Sequence, residues 1–237
     1  MKINFSLPKA ILPFLKEKVD DYYLAGGTAL SMFYYEHRES FDLDFFTKEF
    51  SKGRIFKIIE NLKQDSHWEV ELISEQNKAN FIRVAVYMVH IGKNKKCKID
   101  FVEDSVELLH PFKRVDGIHI LSLEDIYLRK IYAMAGHIPS LDEIGQRVSL
   151  GGRQEARDFY DVYCLSTITM PLSEFVSIYC NDTMKEAVVR WYQTYDRMNI
   201  KTGLLDLPTK AKPDYPLIEN HFKKEIDKLV ENLIEGK

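Results

Sequence analysis

The sequence is poor in cysteine, has no long apolar run and carries no excess of basic charge. Its three cysteines, Cys97, Cys164 and Cys180, form no close pair, which argues against a disulfide framework and favours a reducing, cytoplasmic setting. No uncharged apolar run has the length of a membrane span, and the N-terminus lacks the apolar core of a secretory signal, so we expect no membrane partner. The seven histidines show no zinc-ligand spacing. With a net charge of −3, any nucleic-acid-binding surface must be local.

The overall composition is that of a globular protein, with 45% hydrophobic and 29% charged residues. A chain of 237 residues can bury a core of substantial size and can hold two small domains. The pattern of alternating strands gives way to helical spacing near residue 116. We therefore predict a first domain at residues 1–115 and a helical domain at residues 116–237.

A glycine pair follows a short apolar run near residue 23. Residues 22–24 form a short apolar run, as expected for a buried strand. Gly26, Gly27 and Thr28 come next, before a segment with helical spacing. Glycines let backbone amides approach a ligand closely, and the N-terminus of a helix favours phosphate. This order predicts a phosphate-binding turn, although the same motif alone is most often an ordinary turn.

Two aspartates alternate with apolar residues further along the chain. Residues 41–46 are Phe-Asp-Leu-Asp-Phe-Phe, and on a strand this alternation places Asp42 and Asp44 on one face. Neighbouring carboxylates repel each other unless a positive charge lies between them, and a divalent metal such as Mg²⁺ or Mn²⁺ provides that charge. Such a pair alone also occurs on ordinary surface strands. An acid pair that follows a phosphate-binding turn in sequence predicts a site for a nucleoside triphosphate with its metal.

The two motifs together resemble a known signature. Gly-Gly-Thr followed after thirteen residues by Asp-x-Asp is similar to the signature of the nucleotidyltransferase superfamily related to DNA polymerase beta. The longer strings LAGGTAL and HRESFDLDFF resemble the AbiEii/AbiGii branch, whose members are toxins of bacterial toxin–antitoxin and phage-defence systems. The resemblance implies an α+β nucleotidyltransferase core, with a mixed sheet flanked by helices, followed by a mainly helical domain. It also implies a metal-dependent nucleotidyltransferase that uses an NTP and has a cognate antitoxin.

A third acid lies on a later predicted strand. Asp100 stands between two apolar residues, and by itself it is one more acid near a strand end. The resemblance implies a third carboxylate beside the Asp-x-Asp pair, and Asp100 is the best candidate for this catalytic metal ligand. Glu103 and Asp104 are placed less well. Arg38, just before the acidic strand, is open to two interpretations, support of the site or an ordinary surface position.

Periodicity predicts the remaining elements. We expect helices at residues 8–19, 51–62, 122–134, 153–166, 172–179, 184–195 and 217–234. Pro13 can shorten the first of them. We expect strands at residues 68–72, 81–89 and 97–102, joined by hairpin turns at 77–80 and 92–95. Ser51 and Ser122 are expected to cap the helices that follow them. No strand is expected after about residue 116, and the polar, glycine-rich residues 136–152 predict a loop or lid.

A lysine interrupts the apolar stripe of the predicted 122–134 helix. The charge of Lys130 can reach the surface past a buried stem, or it can reach a phosphate. On the next helix, Asp158 and Asp161 lie three residues apart, beside Arg157, and these acids can serve the helix dipole alone. The resemblance implies a catalytic lysine and a following Asp-x-x-Asp helix, which Lys130, Asp158 and Asp161 match. Arg157 stands where the family more often has lysine.

The acceptor is harder to predict than the nucleotide site. The resemblance implies an RNA acceptor, with the 3′ end of tRNA as the leading candidate. Basic clusters that could grip a phosphate backbone are Lys93, Lys95, Lys96 and Lys98 at one hairpin, Lys113 with Arg114, and Arg129 with Lys130. A charged hairpin that resists edge pairing explains the first cluster equally well. Two other hypotheses stay open: an enzyme of the same fold that modifies a protein hydroxyl or a small molecule, and a non-catalytic nucleotide-binding or partner-binding protein.

Overall fold

The computed structural model describes residues 5–78, 81–92, 94–136, 138–141, 147–150 and 152–235, with the backbone alone at 138–141 and 147–150. The chain divides into two compact units, Lys2–Ile126 and Tyr127–Lys237, and each is described by itself. The domain boundary predicted near residue 116 stays a prediction.

The first unit is built on a mixed sheet of seven strands. In chain order these are β1 (Tyr23–Ala25), β2 (Leu43–Thr47), β3 (Glu69–Gln76), β4 (Val84–Ile91), β5 (Lys95–Glu103), β6 (Lys113–Val115) and β7 (Ile118–Ile120). Their order across the sheet is β3-β4-β5-β2-β1-β7-β6. β2 runs parallel to β5 and antiparallel to β1, while β1 runs parallel to β7. The centre of the sheet therefore consists of β5, β2 and β1, the strands that carry or adjoin the predicted site.

The alternation of residue types explains how these central strands are buried. On β2, Leu43 and Phe45 are fully buried while Asp44 between them is not. On β5, Ile99 and Phe101 are likewise fully buried on either side of Asp100. The apolar side chains stabilise the unit by leaving water, at about 1.5–3 kcal/mol for each fully buried large side chain. The acids consequently share the opposite face of the sheet.

Helices flank this sheet, and their ends follow from local chemistry. They are α1 (Ser6–Leu15), α2 (Gly26–Leu30) with a π-helical continuation (Ser31–Tyr35), α3 (Lys52–Ser66) and the start of α4 (Leu123–Ala135). Ser51 caps α3 by accepting a hydrogen bond from the Arg54 amide at 3.4 Å. Ser122 caps α4 by accepting one from the Asp125 amide at 3.0 Å. Both predicted caps are confirmed, and α3 buries its periodic apolar residues.

The second unit is mainly helical. After the end of α4 it contains a short hairpin of β8 (Ile138–Leu141) and β9 (Arg147–Leu150), then α5 (Ala156–Ile168), α6 (Leu172–Tyr179), α7 (Asp182–Thr194), α8 (Arg197–Asp206) and α9 (Tyr215–Glu235). Phe159 on α5 lies at the centre of an aromatic core, with its ring 4.4 Å from that of Phe222 and 6.0 Å from that of Trp191. Among the described residues, no helix combines the length and apolar character needed to cross a membrane.

The predicted α+β architecture, a mixed sheet flanked by helices and followed by a mainly helical part, is confirmed. The strands expected at 68–72, 81–89 and 97–102 correspond to β3, β4 and β5, which pair antiparallel in turn. The two turns expected between them include residues 79, 80 and 93, which lie outside the described residues.

The structure differs from the predicted course of the chain at three points. Short strands follow the point where strands were expected to end, because β7 joins the sheet beside β1 and β8 pairs with β9. These strands have three or four residues, too few for a period of two to be visible, and Pro139 argued further against a strand. The first helix ends at Leu15, two residues after Pro13, and not at Val19. Helix α8 was missed because its apolar periodicity is weak.

Candidate active site

The glycine turn between β1 and α2 is shaped by close contacts. Gly26 has a φ of 70°, a left-handed conformation that favours glycine. A Cβ at Gly26 would overlap the carboxylate of Asp44, and a Cβ at Gly27 would overlap the guanidinium of Arg38. Glycine is therefore needed at both positions so that the side chains of Asp44 and Arg38 can lie directly against the turn.

Thr28 fixes the segment that leads into β2. Its side chain is fully buried, its hydroxyl lies 2.7 Å from that of Ser40, and it donates a hydrogen bond to the carbonyl oxygen of Asp42. This ties the glycine turn to the start of the acidic strand. A phosphate bound through the Thr28 hydroxyl would have to compete with these two hydrogen bonds. The backbone amides of Gly26 and Gly27 take no part in them.

The three predicted metal ligands are positioned by neighbouring strands. Asp44 on β2 and Asp100 on β5 are direct partners in the parallel pairing of these strands. Asp42 lies one residue before β2 and two residues before Asp44, on the same side of the chain. The sheet thus brings together carboxylates that are more than fifty residues apart in sequence.

A lysine lies among these carboxylates. The Lys98 ammonium is 2.6 Å from Oδ2 of Asp100 and 3.9 Å from Oδ2 of Asp42. Burial works to lower the pKa of Lys98, but its hydrogen bond to Asp100 and the charges of Asp42 and Asp44 outweigh burial, so that its pKa is raised. The sequence pattern had indicated only a basic hairpin for Lys98, and its position among the carboxylates was not predicted. The signal was present, since Lys98 and Asp100 are two residues apart on one strand and share a face.

Arg38 lies directly against the glycine turn. It is buried, with 3% of its surface exposed, and its guanidinium donates a hydrogen bond to the Glu39 carbonyl oxygen at 2.9 Å. The alternative of an ordinary surface position was therefore wrong. Because a buried arginine beside Gly27 adds positive charge at the turn, it favours an anionic ligand there.

The two acids that were considered less suitable than Asp100 have other partners. Glu103 accepts hydrogen bonds from the Arg83 guanidinium, and these bonds lower its pKa. Asp104 accepts hydrogen bonds from the Tyr23 hydroxyl and, at 3.0 Å, from the Val106 amide. Both acids hold loops and strand ends, which supports the choice of Asp100 as the third ligand.

The three carboxylates suit a divalent metal in their chemistry, because Mg²⁺ prefers oxygen ligands. Their placement also fits, since Asp44 and Asp100 are strand partners and Asp44 rests against a turn that no Cβ could share. In the part of the chain that the structure describes, no three His, Cys, Asp or Glu side chains already converge as a metal site. The positive charge beside Asp100 and Asp42 is instead the Lys98 ammonium, which stands in for a cation.

In the second unit, Lys130 is enclosed by the two predicted acids of α5. Its ammonium lies 2.6 Å from Oδ1 of Asp158 and 2.7 Å from Oδ2 of Asp161. Asp158 and Asp161 are fully buried, and Lys130 is 5% exposed. The alternative that the Lys130 charge reaches the surface was therefore wrong. The grouping of Lys130, Asp158 and Asp161 follows the sequence element that predicted it, and their catalytic roles stay a prediction.

The arginine that joins this cluster is Arg153. Its guanidinium donates two hydrogen bonds to Asp158, while Arg157 pairs with Glu155 at 3.8 Å near the surface. Burial would raise the pKa of Asp158, but Lys130 and Arg153 outweigh it and lower that pKa. Arg157 was the predicted neighbour because it adjoins Asp158 in sequence, and no sequence signal distinguished Arg153.

A cavity of about 930 Å³ lies elsewhere in the first unit. It is lined by Tyr23 at the start of β1 and Thr47 at the end of β2, whereas Gly26 and Asp44 lie at the opposite ends of these antiparallel strands. None of the predicted site residues is among the described residues that line it. Two of the charged groups that line it, Arg54 and Asp21, are paired with each other at 3.0 Å. We therefore place the candidate chemistry at the carboxylates and not in this cavity.

Comparison with known proteins agrees with the fold and the motifs. The family described as nucleotidyl transferase AbiEii toxin, type IV TA system, matches residues 14–236. The solved structure of JHP933 from Helicobacter pylori is 16% identical in sequence and has a TM-score of 0.56. The match covers 98% of this chain and 97% of the JHP933 chain. A candidate nucleotidyltransferase from H. pylori is also 16% identical, with coverages of 94% and 95% and a TM-score of 0.56. At this identity the likeness shows the fold alone.

No curated protein matches the chain. The family match covers nearly the whole sequence, including the glycine turn, the three carboxylates and the lysine–aspartate cluster. It carries a transferase activity and a toxin–antitoxin context with it. The chain belongs to the AbiEii nucleotidyltransferase toxin family of type IV toxin–antitoxin systems.

Proposed function

We propose that the chain transfers a nucleotide from an NTP to an RNA acceptor, with the 3′ end of tRNA as the leading candidate, and that it requires Mg²⁺ or Mn²⁺. The observation that carries this proposal is the pairing of Asp44 with Asp100 on adjacent strands, beside the turn at Gly26. This arrangement provides oxygen ligands for a cation next to backbone amides for a phosphate. The family match supports the reaction class.

Different residues of the first unit would bind the metal and orient the phosphates in such a transfer. Asp42, Asp44 and Asp100 would hold the metal, which when bound neutralises charge on the triphosphate and the acceptor oxygen. The amides of Gly26 and Gly27 would orient the outer phosphates. An acceptor hydroxyl oxygen then bonds to the α-phosphorus, pyrophosphate leaves, and the hydroxyl proton passes to solvent. Positioning and charge neutralisation supply most of the catalysis in reactions of this type.

The RNA acceptor is supported less directly. Lys95 and Lys96 on β5 and the pair Lys113 and Arg114 on β6 are exposed and can contact a phosphate backbone. Lys93, which belonged to the same predicted cluster, lies outside the described residues. A tRNA substrate would place the reaction in the cytoplasm, and the toxin–antitoxin family supports a cognate antitoxin, whose gene is expected next to this one.

The experiment is incorporation of labelled nucleotide. The purified chain is incubated with each α-labelled NTP, Mg²⁺ and total tRNA, and the products are separated by size. We expect label in tRNA, and we expect Asp42→Ala with Asp44→Ala to reduce it at least about a thousandfold, which corresponds to about 4 kcal/mol of transition-state stabilisation. Label on protein or on a small molecule would replace the RNA acceptor, and undiminished transfer by the double variant would reject the metal ligands.

A matched control is available on an edge strand of the same sheet. Glu69 and Glu71 on β3 are exposed acids with the same spacing of two residues. Replacing both by alanine removes as much negative charge as the test variant does. Transfer by this control should remain at the wild-type rate. If only the Asp42 and Asp44 variant loses transfer, the loss comes from the location of these two acids and not from the change in net charge.

A further inference from the structure

The carboxylate cluster contains a cation that belongs to the protein. Lys98 and Asp100 lie on the same face of β5, and the ammonium of Lys98 contacts Asp100 Oδ2 at 2.6 Å while it lies 3.9 Å from Asp42 Oδ2. A divalent metal held by these acids would bind the same carboxylate groups that face the ammonium. The two cations therefore compete for the same ligands.

Lys98 lowers the net negative charge of the carboxylate cluster. Three ionised carboxylates carry −3, and one ammonium reduces this to −2. Like charges close together cost stability unless they are compensated, so Lys98 compensates part of the repulsion when no metal is bound. The same compensation weakens the attraction of the cluster for a metal ion.

The lysine is placed so that it can leave. Its side chain is 33% exposed, while that of Asp42 is 34% exposed and that of Asp100 is 15% exposed, so water reaches the ammonium and both carboxylates, Asp100 least. The four-carbon stem is flexible and its ammonium is a compact charge that can rotate to a new partner. A triphosphate bound at the neighbouring glycine turn would offer such a partner.

We propose that Lys98 is a tethered competitor of the divalent metal. It occupies the carboxylates in the absence of substrate, keeps the affinity for free metal low, and releases them when metal arrives together with the triphosphate. The site then binds the metal–nucleotide complex in preference to the metal alone. This inference rests on the proposed assignment of Asp42, Asp44 and Asp100 as metal ligands.

The experiment is calorimetric titration of the protein with Mn²⁺ alone, without nucleotide. Lys98→Met should bind Mn²⁺ at least about tenfold more tightly than the wild type, because a cation next to the ligands has been removed. Lys98→Arg keeps the charge and should remain close to the wild type. Lys96→Met is the matched control, since it removes an equal charge two residues away on the same strand, and its affinity should change by no more than about twofold.

The nucleotide provides the second measurement. With a non-hydrolysable NTP analogue and saturating Mn²⁺, Lys98→Met should bind the analogue more weakly than the wild type, because the released ammonium no longer pairs with phosphate. Metal affinity and nucleotide affinity thus change in opposite directions. A residue that only stabilises the strand would lower both or neither.

The outcomes separate this inference from the function on which it rests. Equal or weaker Mn²⁺ binding by Lys98→Met, with binding abolished by Asp42→Ala and Asp44→Ala, overturns the competition and leaves the metal site in place. Mn²⁺ binding to none of the proteins overturns both assignments, while labelled transfer still reports independently on the enzyme. Thermal melting shows that each variant is folded, and Lys98→Gln replaces Lys98→Met if the latter is not.

Discussion

Two clusters in this molecule have nearly the same composition and differ in burial. In the first unit, Lys98 lies 2.6 Å from Asp100, and its side chain is 33% exposed. In the second unit, Lys130 lies 2.6 Å from Asp158 and 2.7 Å from Asp161, and both carboxylates are completely buried. Distance alone would rank these contacts as equals. The environment makes them different, because water can replace the partners of Lys98 and cannot reach those of Lys130.

Burial determines what each cluster can do. A buried pair is costly to form, and removing one partner leaves an uncompensated charge in a medium that solvates it poorly. Such a cluster holds two helices in a fixed arrangement. The pair of Lys98 and Asp100 is partly exposed, at 33% and 15% of the two side chains. A partly exposed pair contributes less free energy than a fully buried one, so its members can change partners at lower cost. We therefore expect the Lys130 cluster to matter most for stability and the Lys98 cluster to matter most for ligand exchange.

The largest effect is expected from Lys130→Met. This change leaves Asp158 and Asp161 buried without the ammonium that contacts both of them, and it should lower the free energy of unfolding by about 3–5 kcal/mol. Urea denaturation followed by circular dichroism measures the loss. Lys185→Met removes a lysine from the same unit whose partner Asp182 is 83% exposed, and this control should cost less than about 1 kcal/mol. Equal losses in the two variants would contradict the role of burial.

A second, smaller effect concerns pH. Burial would raise the pKa of Asp158, but Lys130 and Arg153 hold it below its ordinary value. A carboxyl group with a lowered pKa contributes stability that is present above its unfolded pKa of about 3.9 and is lost as the pH falls through the lower, folded value. Below about pH 4, the wild type should therefore lose stability more steeply than Asp158→Asn, by up to about 1.4 kcal/mol per pH unit. Parallel profiles in urea titrations would show that Asp158 does not titrate differently in the folded protein.

The same two clusters show how far the sequence could lead. Local periodicity was enough to place Asp42 and Asp44 on one face and to find Lys130 on an apolar stripe, because both depend on residues within one element. The register that pairs Asp44 with Asp100 was not accessible, since it joins strands far apart in sequence. The family resemblance, and not the local pattern, supplied that acid as a candidate.

The cations were predicted less well than the acids. Lys98 was counted with neighbouring lysines as a surface cluster. Its spacing of two residues from Asp100 already indicated that both side chains lie on the same face of the strand. Arg153 lies before the first turn of α5, and its position depends on Gly152, which packs so closely against the backbone oxygen of Met134 that a Cβ would overlap it. Contacts of that kind depend on tertiary packing and leave no periodic signal in the sequence.

The smallest effect is expected from Lys98→Met, and it gives the comparison its sharpest form. In metal-free buffer at physiological ionic strength, the change should alter the free energy of unfolding by less than about 1 kcal/mol, because the carboxylates that lose the lysine are partly hydrated and screened. The measurement is the urea experiment used for Lys130→Met, with a chelator present so that no metal takes the place of the ammonium. A loss as large as that of Lys130→Met would mean that the Lys98 contacts hold the sheet together, and such a lysine could not exchange for a metal. A small loss leaves the ammonium free to exchange, since its contacts are then weak enough to be replaced by a substrate.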